Sequence, residues 1–371
     1  MKRKIVLPVI FLMYSFLLIA QQPPADKNAL PQTIKLYNNL KKTLDAGIMF
    51  GHQDALAYGV NWKYVPGNSD IKMVTGDYPA VFGWELGNLE LDSTQNLDGV
   101  PFKNMQQYIQ QGHQMGGVIT ISWHLNNPLT GKSAWDPAPG TVAAILPGGS
   151  KHTLYLSWLD KVADFLLQLT DTKGKLIPVI FRPFHELNGS WFWWGKNHCS
   201  PQELVALYKF TVDYFRQQKN IHHLLYAFNT DRFATTEEYL ERYPGNDYVD
   251  VIGFDIYQRN EGNKLFVKEI DRQLTLLENI ATTNNKIPAL TEFGYGNLPD
   301  STWWTEVFWR GVGHHKISYT LAWRNAGKKA NGDTEFYVPY NGQASAQNFR
   351  HLYAKKQTLF AKDVAAKKLY K

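Results

Sequence analysis

The stretch Ile177-Pro178-Val179-Ile180-Phe181-Arg182-Pro183-Phe184-His185-Glu186 opens on apolar, β-branched residues and closes on charged and polar ones. A short apolar run with that ending predicts a strand whose C-terminal end carries functional groups. Seven further segments share the design: 48–54, 80–86, 118–124, 223–229, 249–257, 289–294 and 317–325. Their ends read His52-Gln53-Asp54, Trp84-Glu85, Trp123-His124, Asn229, Asp255-Ile256-Tyr257, Thr291-Glu292 and Trp323-Arg324-Asn325. Amphipathic stretches lie between them. Met105, Tyr108, Ile109 and Met115 keep one helical face, and Trp158, Val162, Phe165, Leu166 and Leu169 keep another. Phe266, Ile270, Leu274 and Leu277 form a third stripe. Ser200-Pro201-Gln202-Glu203 has the spacing of a capping box with proline at the first helical position. Trp303 and Trp304 begin the seventh helix, and Phe349, Leu352 and Tyr353 mark the eighth.

Eight strand–helix units predict an α/β fold, a (β/α)8 TIM barrel in one catalytic domain over residues 21–371. A doubly wound sheet is the competing architecture. It lacks support, because Gly51-His52-Gln53 after the first strand is no phosphate loop. In a barrel the polar strand ends converge on one face, where sites are built. The Gly-, Pro- and Asn-rich segments 126–152 and 325–345 are long enough to wall that face.

The chain has 371 residues, 44% hydrophobic and 19% charged, which supports a large core rather than disorder. Aromatic side chains are abundant, with 12 Trp, 20 Tyr and 20 Phe. Flat amphipathic rings in such number suit a binding surface as well as a core. Lys2, Arg3 and Lys4 precede an uncharged run at 5–20, too short for a membrane span. Residues 1–20 therefore read as a signal peptide cut after Ala20, giving an exported chain, periplasmic or extracellular, with no membrane anchor once it is removed; an uncleaved anchor is the alternative reading. Its loss takes three charges from a net +6, leaving +3. Basic residues are dispersed apart from Lys367, Lys368 and Lys371, which read as a solvated helix end, so nucleic acid is not an expected partner. The lone Cys199 excludes an internal disulfide and has no base pattern beside it. No cofactor is implied, and a monomer is expected. No metal site is expected either: Gly189 follows His185 by four residues, so the stretch is not His-Glu-x-x-His. The pairs His222-His223 and His314-His315 precede strands five and eight, on the face away from the chemistry.

Two carboxylates carry the functional reading. Glu186 stands beside Arg182 and His185 and before Trp191-Phe192-Trp193-Trp194, and Glu292 ends strand seven. Strands four and seven face each other across a barrel mouth, so two carboxyl groups there can flank one scissile bond. A separation of about 5–5.5 Å suits a retaining glycosidase and about 6.5–9.5 Å an inverting one. Tyr257 could donate to Glu292, and Arg182 could supply charge to a neighbouring carboxylate. Trp193 and Trp194 divide evenly between core and sugar platform. Glu85 and Asp54 are strand-end acids without a partner legible in the sequence.

Arg-Pro-Phe-His-Glu at 182–186, Trp-Phe-Trp-Trp-Gly at 191–195 and Thr-Glu-Phe-Gly at 291–294 resemble glycoside hydrolase family 26, the β-mannanases of the large retaining (β/α)8 clan. The resemblance runs from about Gly51 to Asn325. It implies Glu186 as acid/base, Glu292 as nucleophile, His185 at the cleaved sugar and Trp191 as a stacking platform. Asp255 and Tyr257 match a Phe-Asp-x-Tyr motif in which the tyrosine touches the nucleophile. His124, Trp323 and Arg324 match positions on the cleft floor and glycone side. The implied activity is endo-β-1,4-mannanase on mannan, galactomannan or glucomannan, with mannobiose release from chain ends as a variant. The same machinery could instead take β-1,3-xylan or mixed-linked β-glucan. From another class, a non-catalytic glycan-binding barrel would keep the aromatics and lose a carboxylate, and both carboxylates are present.

Overall fold

A computed structural model describes residues 23–329 and 332–371. The segment read as a signal peptide, 1–20, lies outside them. Eight parallel strands close into a barrel: β1 (Ile48–Gln53), β2 (Val81–Glu85), β3 (Val118–Trp123), β4 (Val179–Pro183), β5 (Leu224–Thr230), β6 (Val251–Gln258), β7 (Ile287–Tyr295) and β8 (Tyr319–Ala322). Each pairs with its neighbour in sequence, and β8 pairs back onto β1 through Met49 opposite Tyr319. A short strand at Thr358–Leu359 adds to the start of β1. The (β/α)8 expectation holds. Several strands stop short of the expected ends, so His124, His185, Glu186, Trp323 and Arg324 sit just past them, in the loops of the upper face.

The barrel interior is filled by alternate residues. Met49, Val81, Val118, Ile180, Leu225, Val251, Ile287 and Leu321 form a layer sealed from below by Leu36, Tyr37 and Leu40 of α1 (Pro31–Thr43). The opposite strand faces pack on the helices. α2 (Phe102–Gln114) buries Met105 and Ile109, and α3 (His152–Leu167) buries Trp158, Val162, Phe165 and Leu166. The capping box forms at α4 (Pro201–Asp213). Ser200 Oγ accepts from the Glu203 amide at 3.2 Å, and the Glu203 carboxylate accepts from the Ser200 amide at 2.7 Å. α5 (Asn263–Asn284) buries the stripe Phe266, Ile270, Leu274 and Leu277. Trp303 and Trp304 are core residues, at the start of a wide helical turn. Among the described residues, no helix is long and apolar enough to cross a membrane.

Two local irregularities aim the polar groups. In β7, Leu290 pairs with Phe254 but Glu292 pairs with Asp255, so Thr291 is an extra residue. Strict alternation would put 287, 289 and 291 inside and turn Glu292 outward. The bulge swings Glu292 back over the barrel mouth. After β4, Phe184 and Glu186 both have φ of +52°, a left-handed conformation costing roughly 1–2 kcal/mol per non-glycine residue. This pair of reversals turns the chain sharply around His185. Pro183 is the last residue of β4, opposite Trp123 of β3 and beyond the end of the β4–β5 ladder at Phe181, a strand-end position where proline is tolerated.

The bulge depends on space at Gly253. A Cβ there would lie 2.5 Å from Thr291 Cγ2 and 2.6 Å from its Oγ1. The variant Gly253→Ala should lose about 1–3 kcal/mol, the usual cost of overpacking, read as a lower denaturant midpoint. An unchanged midpoint would show that Thr291 is free to move.

Candidate active site

Strands β4, β6 and β7 bring three charged side chains together at the barrel mouth. Arg182 is 1% exposed and carries no solvent to soften its charge. Its Nη1 donates to Asn229 Oδ1 at 3.0 Å and to Asp255 Oδ2 at 3.1 Å, and its Nη2 donates to Glu292 Oε1. The other oxygen of Glu292, Oε2, accepts from the Tyr257 hydroxyl at 2.7 Å. Both oxygens of Glu292 are therefore held, one by Arg182 from β4 across the mouth and one by Tyr257 on the adjacent β6.

Glu186 faces this trio from the loop after β4. One carboxylate oxygen from each of Glu186, Asp255 and Glu292 lies within 4.8 Å of the others. Three acids against one guanidinium leave an excess of negative charge in a buried space. Burial, with repulsion from Asp255, Glu292 and Asp231, raises the Glu186 pKa well above the ordinary carboxylate range. The Trp191 indole N–H donates to Glu186 Oε2 at 2.6 Å and opposes that rise. Asp255 is also pushed up, by burial and then by Glu292, against the pull of Arg182.

A second network lines the other wall. His185 Nε2 meets His124 Nε2 at 2.9 Å, and His124 Nδ1 meets Glu85 Oε2 at 2.8 Å. Glu85 is saturated by donors: the amides of Gly87 and His124 give to Oε1 at 2.6 Å each, and Ser122 Oγ gives to Oε2 at 2.6 Å. Burial alone would raise the Glu85 pKa, but His124 and these donors outweigh it and lower it. For His124 burial disfavours the charged ring, yet Glu85 beside it raises the pKa. Burial, followed by repulsion from His124 and Arg182, drives the His185 pKa well down. The consistent proton assignment is a charged His124 donating through both nitrogens and a neutral His185 accepting at Nε2. His185 then carries its proton on Nδ1, a buried atom without a hydrogen-bond partner among the described residues.

The cleft above these groups is aromatic. Trp191 is 37% exposed beside Glu186, and Trp323 lines the same cleft. Trp193 and Trp194 are wholly buried, donating to the backbone oxygens of Leu125 at 3.1 Å and His185 at 2.9 Å, so they are core. Arg324 stands apart from the carboxylates. It pairs with Asp98 at 2.9 Å and lines an adjoining pocket with Tyr58, Trp62 and Lys63. Burial raises the Asp98 pKa to about 6 although Arg324 pulls it down. Two hairpins bound that pocket, Tyr58–Gly59 with Trp62–Lys63 and Gly327–Lys328 with Thr334–Glu335, the second from the long segment 325–345.

Sequence reasoning missed several cleft residues. Trp135, 49% exposed, stacks on His124 with centroids 5.1 Å apart. Its signal was a single tryptophan in a loop otherwise built of polar and turn-forming residues. Asp231 and Arg259 also line the cleft, with no motif to announce them. Glu85 does have a partner, His124, and Asp54 accepts from the Tyr58 hydroxyl at 2.5 Å.

Residues 25–325 match the profile of glycosyl hydrolase family 26. The chain belongs to that family. A mannan endo-1,4-β-mannosidase of Bifidobacterium adolescentis is 35% identical over 280 residues, which cover 73% of this chain and 28% of that protein. A mannan endo-1,4-β-mannosidase of Bacillus subtilis is 30% identical over 202 residues, 50% of this chain and 53% of its own length. The chain thus spans between a quarter and about half of these curated relatives. Among solved structures, a family 26 β-mannanase of Bacteroides ovatus superposes with a TM-score of 0.88 at 43% identity, covering 92% of this chain and 98% of the other. The catalytic domain of an endo-β-1,4-mannanase of Bacillus sp. JAMB-750 gives 0.86 at 33%, covering 94% and 96%.

The family 26 cleft makes a direct electrostatic prediction. In Glu85→Gln the His124 ring loses the charge that stabilises its proton. Its pKa should fall, seen as a downward shift of its imidazole 15N titration. An unmoved titration would show that Glu85 does not hold the His124 charge.

Proposed function

We propose that this chain is a retaining endo-β-1,4-mannanase working by double displacement. The single observation that carries the mechanism is the spacing of Glu186 and Glu292, with carboxylate oxygens within 4.8 Å. An approach within that limit is compatible with the roughly 5–5.5 Å between the carboxyl groups of retaining pairs and favours it over the 6.5–9.5 Å that leaves room for an inverting water. The mannan substrate rests on the relatives named as mannan endo-1,4-β-mannosidases and on the mannanase structures.

In the first step Glu292 attacks the anomeric carbon as the glycosidic C–O bond breaks. The proton held by Glu186 goes to the departing oxygen. In the second step Glu186, now ionised, takes a proton from water, whose oxygen attacks the same carbon and expels Glu292. The raised pKa of Glu186 suits the first step, because it favours the protonated acid that must give up its proton. Arg182 and Tyr257 hold the Glu292 oxygens in place before attack and receive them again on release. Trp191 offers a flat face to a pyranose, and His185 Nδ1, the one ring nitrogen of the His124–His185 pair without a partner among the described residues, offers a donor to its hydroxyls. The chain is proposed to act after export, as a monomer on a β-mannan-type polysaccharide.

Glu186→Gln should lose on the order of 10²- to 10⁴-fold in hydrolysis of linear mannan, and Glu292→Gln should lose at least as much. Product analysis by proton NMR should give first-formed β-anomers. Wild-type rates in both variants, or an inverted first product, would end this reading. Parallel assays on galactomannan, β-1,3-xylan and mixed-linked β-glucan test the substrate separately. In the parent the alkaline limb of kcat/KM should belong to Glu186, with activity falling as pH rises through its pKa.

A further inference from the structure

On the face opposite the cleft, α5 runs past the segment that leads into β8. His314 and His315 stand in that segment, and both turn toward one atom of α5. His314 Nε2 lies 2.8 Å from Asp271 Oδ1, and His315 Nε2 lies 3.1 Å from the same oxygen. The three atoms all fall within 4.8 Å of one another. Two helical turns along, on the same face of α5, Glu278 Oε2 meets His315 Nδ1 at 2.7 Å. The other oxygen of Glu278 accepts from the Lys316 amide, so this carboxylate is fixed at both ends.

Hydrogen bonding alone accounts for this arrangement only at a cost. His315 would need protons on both nitrogens to satisfy Glu278 and Asp271, and His314 would add a second donor to the same oxygen. A divalent cation resolves it with neutral rings. Both Nε2 lone pairs and Asp271 would bind the ion, while His315 Nδ1–H donates to Glu278. A carboxylate behind a ligating imidazole is the usual way such a ring is oriented. Zinc bonds of about 2.0–2.2 Å in a tetrahedron separate ligand atoms by about 3.3 Å. The distances of 2.8 and 3.1 Å need to open by only a few tenths of an ångström. His315 is buried and His314 is mostly exposed, so a fourth position would open to water. Imidazole with carboxylate is a donor set suited to zinc or a neighbouring first-row ion. The other convergence of such groups among the described residues, Glu186 with Asp255 and Glu292, already has Arg182.

We propose that Asp271, His314 and His315 form a surface site for a divalent first-row cation such as zinc, with Glu278 orienting His315. The ion would join α5 to the segment entering β8 and act on stability rather than on the chemistry across the barrel.

The test uses the untagged chain after treatment with EDTA. Zinc chloride is titrated by calorimetry, and thermal unfolding is followed with and without zinc. The expected result is one ion per chain with micromolar affinity and a rise in Tm of a few degrees. His314→Ala, an exposed position that leaves the core intact, should weaken binding at least tenfold and remove the rise. Asp271→Asn should do the same, and Glu186→Gln should bind as the parent does. No saturable binding by the parent, or undiminished binding by both His314→Ala and Asp271→Asn, would overturn the proposal. Loss of binding in Glu186→Gln with retention in His314→Ala would place the ion in the cleft and overturn it equally.

Discussion

A single guanidinium, that of Arg182, lies between Asp255 and Glu292 with almost no access to water. A charge in that position is tolerable only while its partners remain, and removing one partner of a buried pair typically costs about 3–5 kcal/mol. Three strands are bound together by this contact, since Arg182 comes from β4, Asp255 from β6 and Glu292 from β7. The contact also sets the charge of the whole mouth. One cation faces three acids, and burial together with repulsion from Asp255 and Glu292 raises the pKa of Glu186.

Backbone irregularity is the means by which the fold reaches this arrangement. A regular β7 would turn Glu292 away from Arg182, and a relaxed turn after β4 would leave Glu186 elsewhere. The bulge at Thr291 and the left-handed residues Phe184 and Glu186 are local losses that the surrounding strands support. Gly253 belongs to the same device, because only a residue without a side chain lets Thr291 occupy the inner face.

The histidine pair on the opposite wall follows a similar logic with different groups. Glu85 raises the pKa of His124, and burial followed by repulsion from His124 and Arg182 lowers that of His185. A sugar entering the cleft would meet one charged and one neutral ring, under Trp135 and beside Trp191. The lower face of the barrel shows the contrast. There Asp271, Glu278, His314 and His315 tie a helix to a loop, far from the aromatic cleft.

Much of this protein was legible in its residues. Eight apolar runs with polar ends imply the barrel, because alternating strands and helices can bury their apolar faces in few other ways. Glu186 and Glu292 stood out because carboxylates at such ends are costly without a purpose. Other features depend on contacts between residues far apart in the chain. Glu85 meets His124 across 39 positions, and Arg182 meets Glu292 across 110. Trp193 and Trp191 are two residues apart, yet one is sealed in the core and the other faces solvent. Local pattern cannot make that distinction, since burial is decided by what packs from elsewhere. Residue order therefore determined the barrel and the identity of its acids. Tertiary structure decided their close approach, the raised pKa of Glu186 and which aromatic rings remain exposed in the cleft, because each of these depends on the field and packing of neighbours brought together only by folding.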